Sequence, residues 1–321
     1  MNTTAKEQSK WGRIWSNYRI VFVFIIFYIV CTILTHGKFG TWNNMSTILR
    51  NASTIGVIAL GMTFVIIAGG MDLSSGPVLA CVGSIFIFLQ GAGYPLIIPI
   101  LACVGMAVGI GLVNGLIITR AKIPPFIVTL ATGIIARSIT TFICKGKTVT
   151  GDNTDTFVTK IGNGSIASIP IPLIIMLVLA VILTIVLTKT KLGTYIIGVG
   201  CNENAARYSG IPVDRIKIYT YMIVGACTGI AAVIEMSRMV AVSSVSSGDG
   251  YEFDAITAVL VGGTALEGGR GTIYGTVIGA VLLQFVNNMM VQMNISIYLA
   301  GTLKGIIIFL AVLLNSRGNN N

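Results

Sequence analysis

The stretch NASTIGVIALGMTFVIIAGGMDLSSG, residues 51–76, decides the fold. From Asn51 to Met71 it is uncharged, and about 20 mainly apolar residues are what a helix needs to cross the hydrocarbon core of a bilayer. A Gly pair, an aspartate and two serines then interrupt it, and a second uncharged run, Leu73 to Thr119, begins at once. That run is too long for one crossing, and Gly91-Ala92-Gly93-Tyr94-Pro95 supplies its break. The reading is a chain that crosses a membrane repeatedly and breaks some of its helices at glycines.

Outward from there the pattern continues. Ile20 to Thr35 follows Lys10, Arg13 and Arg19, with Trp11, Trp15 and Tyr18 as interfacial aromatics. No A-x-A-like cleavage site comes after it, so it reads as a retained first helix rather than a signal peptide. Further spans are expected at Ile123 to Ile143 (containing Arg137), Ile169 to Thr188, Ile218 to Ile234, Ala255 to Leu266, Thr272 to Val291 and Leu299 to Asn315. The count is about ten, the eighth short enough to be re-entrant. The expected fold is an all-α polytopic membrane protein: a cytoplasmic segment 1–19, a single transmembrane domain 20–315 and a cytoplasmic tail 316–321.

Composition agrees. The 321 residues are 54% hydrophobic and 10% charged, against roughly 45–50% and about 25% in soluble domains. A water-soluble enzyme is nearly excluded. The net charge of +10 is spread over too few groups to make a face for nucleic acid. With the N-terminus inside, thirteen of the 21 Lys and Arg fall in cytoplasmic segments and six in outer ones, which supports two cytoplasmic termini. A single histidine and six scattered cysteines with no CxxC pair argue against a metal centre or a disulfide framework. Gly146-Lys147-Thr148 lacks the earlier glycine of a phosphate-binding loop, its place being taken by Thr141, and no Ser/His/Asp set is visible. No catalytic residue, metal or cofactor is expected on this chain.

Two loops are long enough to carry function. The outer one, residues 145–168, reads as an irregular external segment. The inner one, 189–215, contains Asn202-Glu203-Asn204-Ala205-Ala206-Arg207-Tyr208 closed by Ser209-Gly210 and Pro212, the signals of a short helix and its stop. It is either a short amphipathic helix lying on the cytoplasmic face or a docking surface.

The chain also repeats itself: Gly69-Gly70-Met71-Asp72-Leu73-Ser74-Ser75-Gly76 and Gly262-Gly263-Thr264-Ala265-Leu266-Glu267-Gly268-Gly269 share G-G-x-x-L-x-x-G, 193 positions apart. Discontinuous helices between internal repeats are how transporters expose backbone groups to a polar solute. The candidate break residues are Gly69, Gly70, Gly76, Gly262, Gly263 and Gly269. Ionisable groups inside spans need partners or water; here they are Asp72, Arg137, Glu235, Asp254, Glu267 and Lys304. Glu235 and Arg238, three apart near a helix end, read as a local ion pair reaching the outer interface. Asp72 with Ser74 and Ser75 is either a cap for the next helix or a solute contact. Asn287 and Asn288, with Gln284, either line a cavity or join helices by hydrogen bonds.

The ordered set Gly70-Met71-Asp72-Leu73-Ser74-Ser75-Gly76, Phe126-Ile127-Val128-Thr129-Leu130, Gly198-Val199-Gly200-Cys201-Asn202-Glu203, Ala205-Ala206-Arg207-Tyr208-Ser209-Gly210-Ile211, Gly250-Tyr251-Glu252-Phe253-Asp254 and Gly275-Thr276-Val277-Ile278-Gly279 resembles the membrane permease subunits of carbohydrate ABC importers. That group includes the ribose, galactose, xylose and autoinducer-2 permeases, and the resemblance is to the ribose-permease type. It implies a bacterial cytoplasmic-membrane protein paired with a second permease subunit, a two-domain cytoplasmic ATPase that holds ATP and Mg, and an external sugar-binding protein. It also implies that Asn202, Glu203, Ala205, Ala206, Arg207, Ser209 and Gly210 form a coupling helix against that ATPase. Cys201 stands where the family usually has Gly, and Asn204 where it often has an acid. The rival expectation is an ion-coupled secondary transporter of a small polar solute.

Overall fold

A computed structural model describes residues 37–151 and 156–293 continuously, with residues 28–30, 32, 33, 35, 301, 302 and 305. The segments 1–19 and 316–321, Lys304, and most of the first and tenth expected spans lie outside the described residues.

The helices are α1 (Trp42–Ile67), α2 (Ser75–Gly91), α3 (Ile97–Ala121), α4 (Pro125–Ile143), α5 (Thr156–Asn163), α6 (Ile171–Lys189), α7 (Lys191–Cys201), α8 (Glu203–Tyr208), α9 (Val213–Met239), α10 (Tyr251–Val261) and α11 (Ile273–Gln292). Among the described residues α1, α3, α4, α6, α9 and α11 are long and apolar enough to cross a membrane. The expected count of about ten is therefore not reached here. The expected third and eighth spans are present as shorter helices, α2 of 17 residues and α10 of 11, roughly 25 and 16 Å long at 1.5 Å per residue.

The arrangement follows from where apolar surface falls. α1 is apolar all round and buried continuously from Ala52 to Ile67, as a helix in the middle of a bundle must be; α6, α9, α10 and α11 surround it. On α3, α4 and α6, by contrast, Leu101, Ile134 and Val181 are more than 60% exposed, an outward apolar surface suited to lipid or to another subunit.

The most intimate contact is the antiparallel crossing of α3 and α9. Cys103, Ala107, Gly111 and Gly115, one turn apart on α3, face Tyr221, Gly225 and Gly229 on α9. A Cβ on Gly111 would meet the Tyr221 carbonyl, and one on Gly225 would meet the Ala107 carbonyl. Small residues at every fourth position let backbones touch where water-driven burial is absent.

The described residues of the 145–168 loop form more regular structure than their composition suggests. Strand β1 (Thr148–Thr150) pairs antiparallel with a strand after α9, numbered β4 (Ala241–Ser243), with Val149 opposite Val242. Between them in sequence, β2 (Ser165–Ile166) and β3 (Ile169–Pro170) form a short hairpin leading into α6. Asn163 of α5 donates a hydrogen bond to the Arg238 carbonyl at 2.9 Å. The end of α9 and β4 offer this loop the backbone partners that its polar sequence alone does not reveal.

Both glycine-rich breaks exist, but one residue out of the register of the sequence match. α1 closes with the Gly69 N–H on the Ile66 carbonyl and the Gly70 N–H on Val65; α10 closes with Gly263 on Leu260 and Thr264 on Val259. These are two Schellman endings, so Gly69 (φ 78°) corresponds to Gly263 (φ 90°), not to Gly262. After them the paths diverge, α2 beginning at Ser75 and α11 only at Ile273.

Candidate functional site

Three polar regions lie along the bundle. The first is built on α8. Six residues are far too few for an independent helix, and this one is held by its ends. The Asn202 side chain accepts the Ala205 N–H at 3.0 Å, and Gly210 (φ 81°) turns the chain away after Ser209. Glu203 accepts from Lys217 at 2.7 Å and from Arg207 at 3.4 Å, and Arg207 reaches Asp214 at 2.9 Å. Only Ala206 is buried, while Tyr208 is 92% exposed. A groove of about 520 Å³ runs beneath, between the α3–α4 turn and α9, with Lys122, Asn204 and Asp214 on its walls. Exposed ion pairs add little stability; these orient a protruding helix. The sequence reading found α8 but missed α7, whose buried Gly193, Ile196 and Val199 make a second amphipathic helix on the same loop, and missed Asp214 and Lys217.

The hydrogen bond from Lys217, then the Lys217 and Arg207 charges, hold the Glu203 carboxyl below its ordinary value against some burial. The hydrogen bond to Asp214 raises Arg207. A depressed carboxyl contributes stability above its unfolded value, near 4.3, and loses it as pH falls through the lowered folded value. Protection of α8 from limited proteolysis is therefore expected to be constant from pH 8 to about 5 and to fall only below about pH 4.

The second region joins the α1–α2 break to α3 and α4. Thr132 donates to Asn114 (2.6 Å), Asn114 to the Ser74 hydroxyl (3.2 Å), and that hydroxyl with the Ser74 N–H to one Asp72 carboxylate oxygen (2.6 and 2.7 Å). Tyr221 holds the Met71 carbonyl at 3.0 Å and Thr129 the Leu73 N–H at 3.1 Å. Since Tyr221 lies eight residues into α9, this irregular backbone sits about 12 Å inside the end of the helix, where unpaired amides must find protein partners. Asp72 is 4% exposed. It does not cap α2, as one reading had it: Ser74 is the N-cap and makes no side-chain cap bond, and Asp72 closes a turn onto Ser74 instead. Ser75 presents a buried hydroxyl with no hydrogen-bond partner. Nearby, Gly76 packs against Glu252 and the Gly248 carbonyl. Arg137 on α4 donates to the Ser247 carbonyl at 2.7 Å and to Ser244 at 3.4 Å, which explains a charge inside a span.

The third region lies at the opposite end of α1. Glu235 and Arg238 pair at 3.1 Å but do not reach outward as expected: their side chains are only 6% and 13% exposed. Tyr251 and Thr54 donate to Glu235 at 3.1 and 3.2 Å, and Arg238 donates to Asn51. The neighbouring helices thus replace the water that snorkelling would have sought. Asn287 borders this network, whereas Asn288 exchanges hydrogen bonds with Asn44 at 3.0 and 2.9 Å and joins α11 to α1. The candidate pathway residues are consequently not one cluster. Asp72, Ser74 and Ser75 stand at one end of α1, and Asn287 and Asn288 at the other. Glu267 is not embedded, because α10 stops at Val261 and leaves it on an exposed turn.

The glycine set connects the first two regions. Gly269 donates its N–H to the Ile67 carbonyl at 2.8 Å. A methyl group on Gly268 would stand 3.1 Å from the carbonyls of Ile67 and Gly200 and 3.2 Å from the Gly69 nitrogen. Both helix breaks thus meet the end of α7, next to α8. Gly70 lies against the Tyr221 hydroxyl and Gly262 against Gly275.

A family model described as a branched-chain amino acid transport system permease component matches residues 44–312. The chain belongs to this permease family. It is 37% identical to the ribose import permease protein of Haemophilus influenzae over 91% of each chain. Identity is 33% to the D-allose transport system permease protein of Escherichia coli, covering 97% of this chain and 94% of the relative. It is 34% to the L-arabinose transport system permease protein of the same species, covering 96% and 93%. No solved structure matches. The resemblance drawn from the ordered motifs therefore holds, and with six long apolar helices among the described residues the chain is a multi-pass membrane permease.

Proposed function

We propose that this permease is the membrane-spanning subunit of a binding-protein-dependent ABC importer that carries a monosaccharide or similar small polar solute into the cytoplasm. The carrying observation is α8, a six-residue helix that buries one residue and is braced to α9 by ion pairs, in a chain whose relatives are named for ribose, D-allose and L-arabinose. On this reading α8 faces the cytoplasm of a bacterial cell and seats in a groove of an ATPase subunit. A second permease subunit, the same or different, and an external sugar-binding protein complete the assembly, and the full chain makes about ten membrane helices with both termini inside. ATP and Mg belong to the ATPase; this chain supplies the path and catalyses nothing.

The mechanism is alternating access. ATP binding closes the ATPases, α8 moves with them, and the contacts of Gly200 with Ile67, Gly268 and Gly269 pass that motion to both broken helices. Asp72, Ser74 and Ser75 then change their exposure to the solute. Asp72→Asn keeps the shape of the turn but removes the charge that ends the relay from Thr132. Uptake is expected to fall about tenfold, equivalent to ~1.4 kcal/mol, with membrane insertion retained; unchanged uptake would make Asp72 a dispensable turn former.

A buried carboxylate with no ion-pair partner among the described residues also suits an ion-coupled secondary transporter. Whole-cell uptake separates the two readings. Uptake that survives an ionophore and disappears without the ATPase supports the importer; the opposite pattern supports ion coupling.

A further inference from the structure

We propose that the cavity beside Glu235 and Arg238 is a solute-recognition site within the permease itself, taking a neutral, polyhydroxylated molecule the size of one sugar ring. The cavity measures about 220 Å³ and opens between α1, α9, α10 and α11, with Asn51, Arg238, Tyr251, Asp254, Gln284 and Asn287 among its lining residues. That is room for about seven waters at ~30 Å³ each, below the roughly 300 Å³ at which drug-sized pockets begin.

Its chemistry fits a polyol. A hydroxyl both donates and accepts, so a site for several of them needs both kinds of group. Arg238, Asn51, Gln284 and Asn287 can donate, while Asp254, Gln284 and Asn287 supply acceptor oxygens. Two buried atoms of the cavity's lining residues make no hydrogen bond in the protein, the Arg238 Nε–H and the Asn287 carbonyl oxygen, one donor and one acceptor. Buried polar atoms rarely go without a partner, and a small rotation of these side chains toward the cavity would let bound hydroxyls satisfy both. The cation at the cavity is already paired, Arg238 being neutralised by Glu235. An isolated anion would have to displace that pair and face the Asp254 carboxylate, whereas a neutral solute would not. Tyr251, anchored through its hydroxyl to Glu235, offers a ring to the less polar face of a sugar.

This inference rests on the importer reading, because it names a place where the cargo is recognised after leaving the binding protein. Its test is equilibrium binding of radiolabelled ribose, D-allose and L-arabinose to the purified full-length permease in nanodiscs, without ATPase or binding protein, up to about 50 mM, a range that reaches weak sites. At least one sugar is expected to bind saturably, with cyclohexanol failing to compete. Asn287→Ala removes an oxygen that holds nothing together and is expected to weaken binding at least about tenfold; Asn287→Leu, which fills the cavity, should abolish it. Thermal unfolding of both variants should match the parent, and a variant that unfolds early is replaced by Gln284→Leu for the same comparison. No saturable binding to the parent, or equal binding to correctly folded variants, overturns the site. ATP-dependent uptake in cells is measured alongside: if it persists while binding is absent, the site fails and the importer reading stands; if the parent shows none, the importer reading fails.

Discussion

Replacing Glu203 and Arg207 together by Ala is expected to leave the permease inserted while ATP hydrolysis by the assembled complex no longer drives uptake. The two side chains account for all three ion pairs that brace α8: Glu203 to Lys217, Glu203 to Arg207 and Arg207 to Asp214. Without them the Asn202 cap, the Gly210 turn and buried Ala206 are left to fix a helix of six residues, too short to persist alone. Because the network is exposed, global stability should hardly change; on the proposed function, what is lost is the rigid protrusion that passes force. Uptake is expected to drop by at least about tenfold, or ~1.4 kcal/mol of coupling, with ATPase activity retained. The readout is the ratio of solute moved to ATP hydrolysed. A double variant with the parent ratio would remove α8 from the coupling path.

Gly225→Leu is expected to act on assembly instead. A side chain at that position is driven into the Ala107 carbonyl, backbone rather than a yielding side-chain tip. Overpacking ordinarily costs about 1–3 kcal/mol, and a backbone obstacle on the closest helix pair belongs at the upper end or beyond. Yield in the membrane and the thermal midpoint should both fall sharply. Gly109→Leu on α3 is the control: nothing lies within 4 Å of a Cβ there, and Leu is the better helix former by about 0.8 kcal/mol, so it should be neutral or stabilising. Equal behaviour of the two variants would contradict the α3–α9 crossing.

Those two predictions mark where the sequence was informative. The membrane class, the break after α1, the break at residues 91–95 and the position of α8 were readable because each is local: an uncharged run of fixed length, a Gly pair, a cap with a stop signal. The α3–α9 crossing was not, although Gly111 with Gly115 and Gly225 with Gly229 are both spaced by four, because spacing names a helix face and not its partner. Asp72 was legible as an embedded charge, but its relay through Asn114 and Thr132 depends on two other helices. Glu235 and Arg238 looked interfacial because their helix ends there; Thr54 and Tyr251, from distant parts of the chain, bury them. The repeat was legible as composition and misleading in register, since a Schellman ending is placed by the last helical residue rather than by the first glycine.

The central claim is that transport through this chain is powered through α8 by a separate ATPase. It is tested most directly in proteoliposomes holding the permease and its ATPase, with sugar-binding protein on one side and ATP on the side of α8. The account predicts accumulation of the labelled sugar against its gradient when ATP is on that side only, unaffected by collapsing proton or sodium gradients. Accumulation driven by an imposed ion gradient, with the ATPase left out, would contradict it.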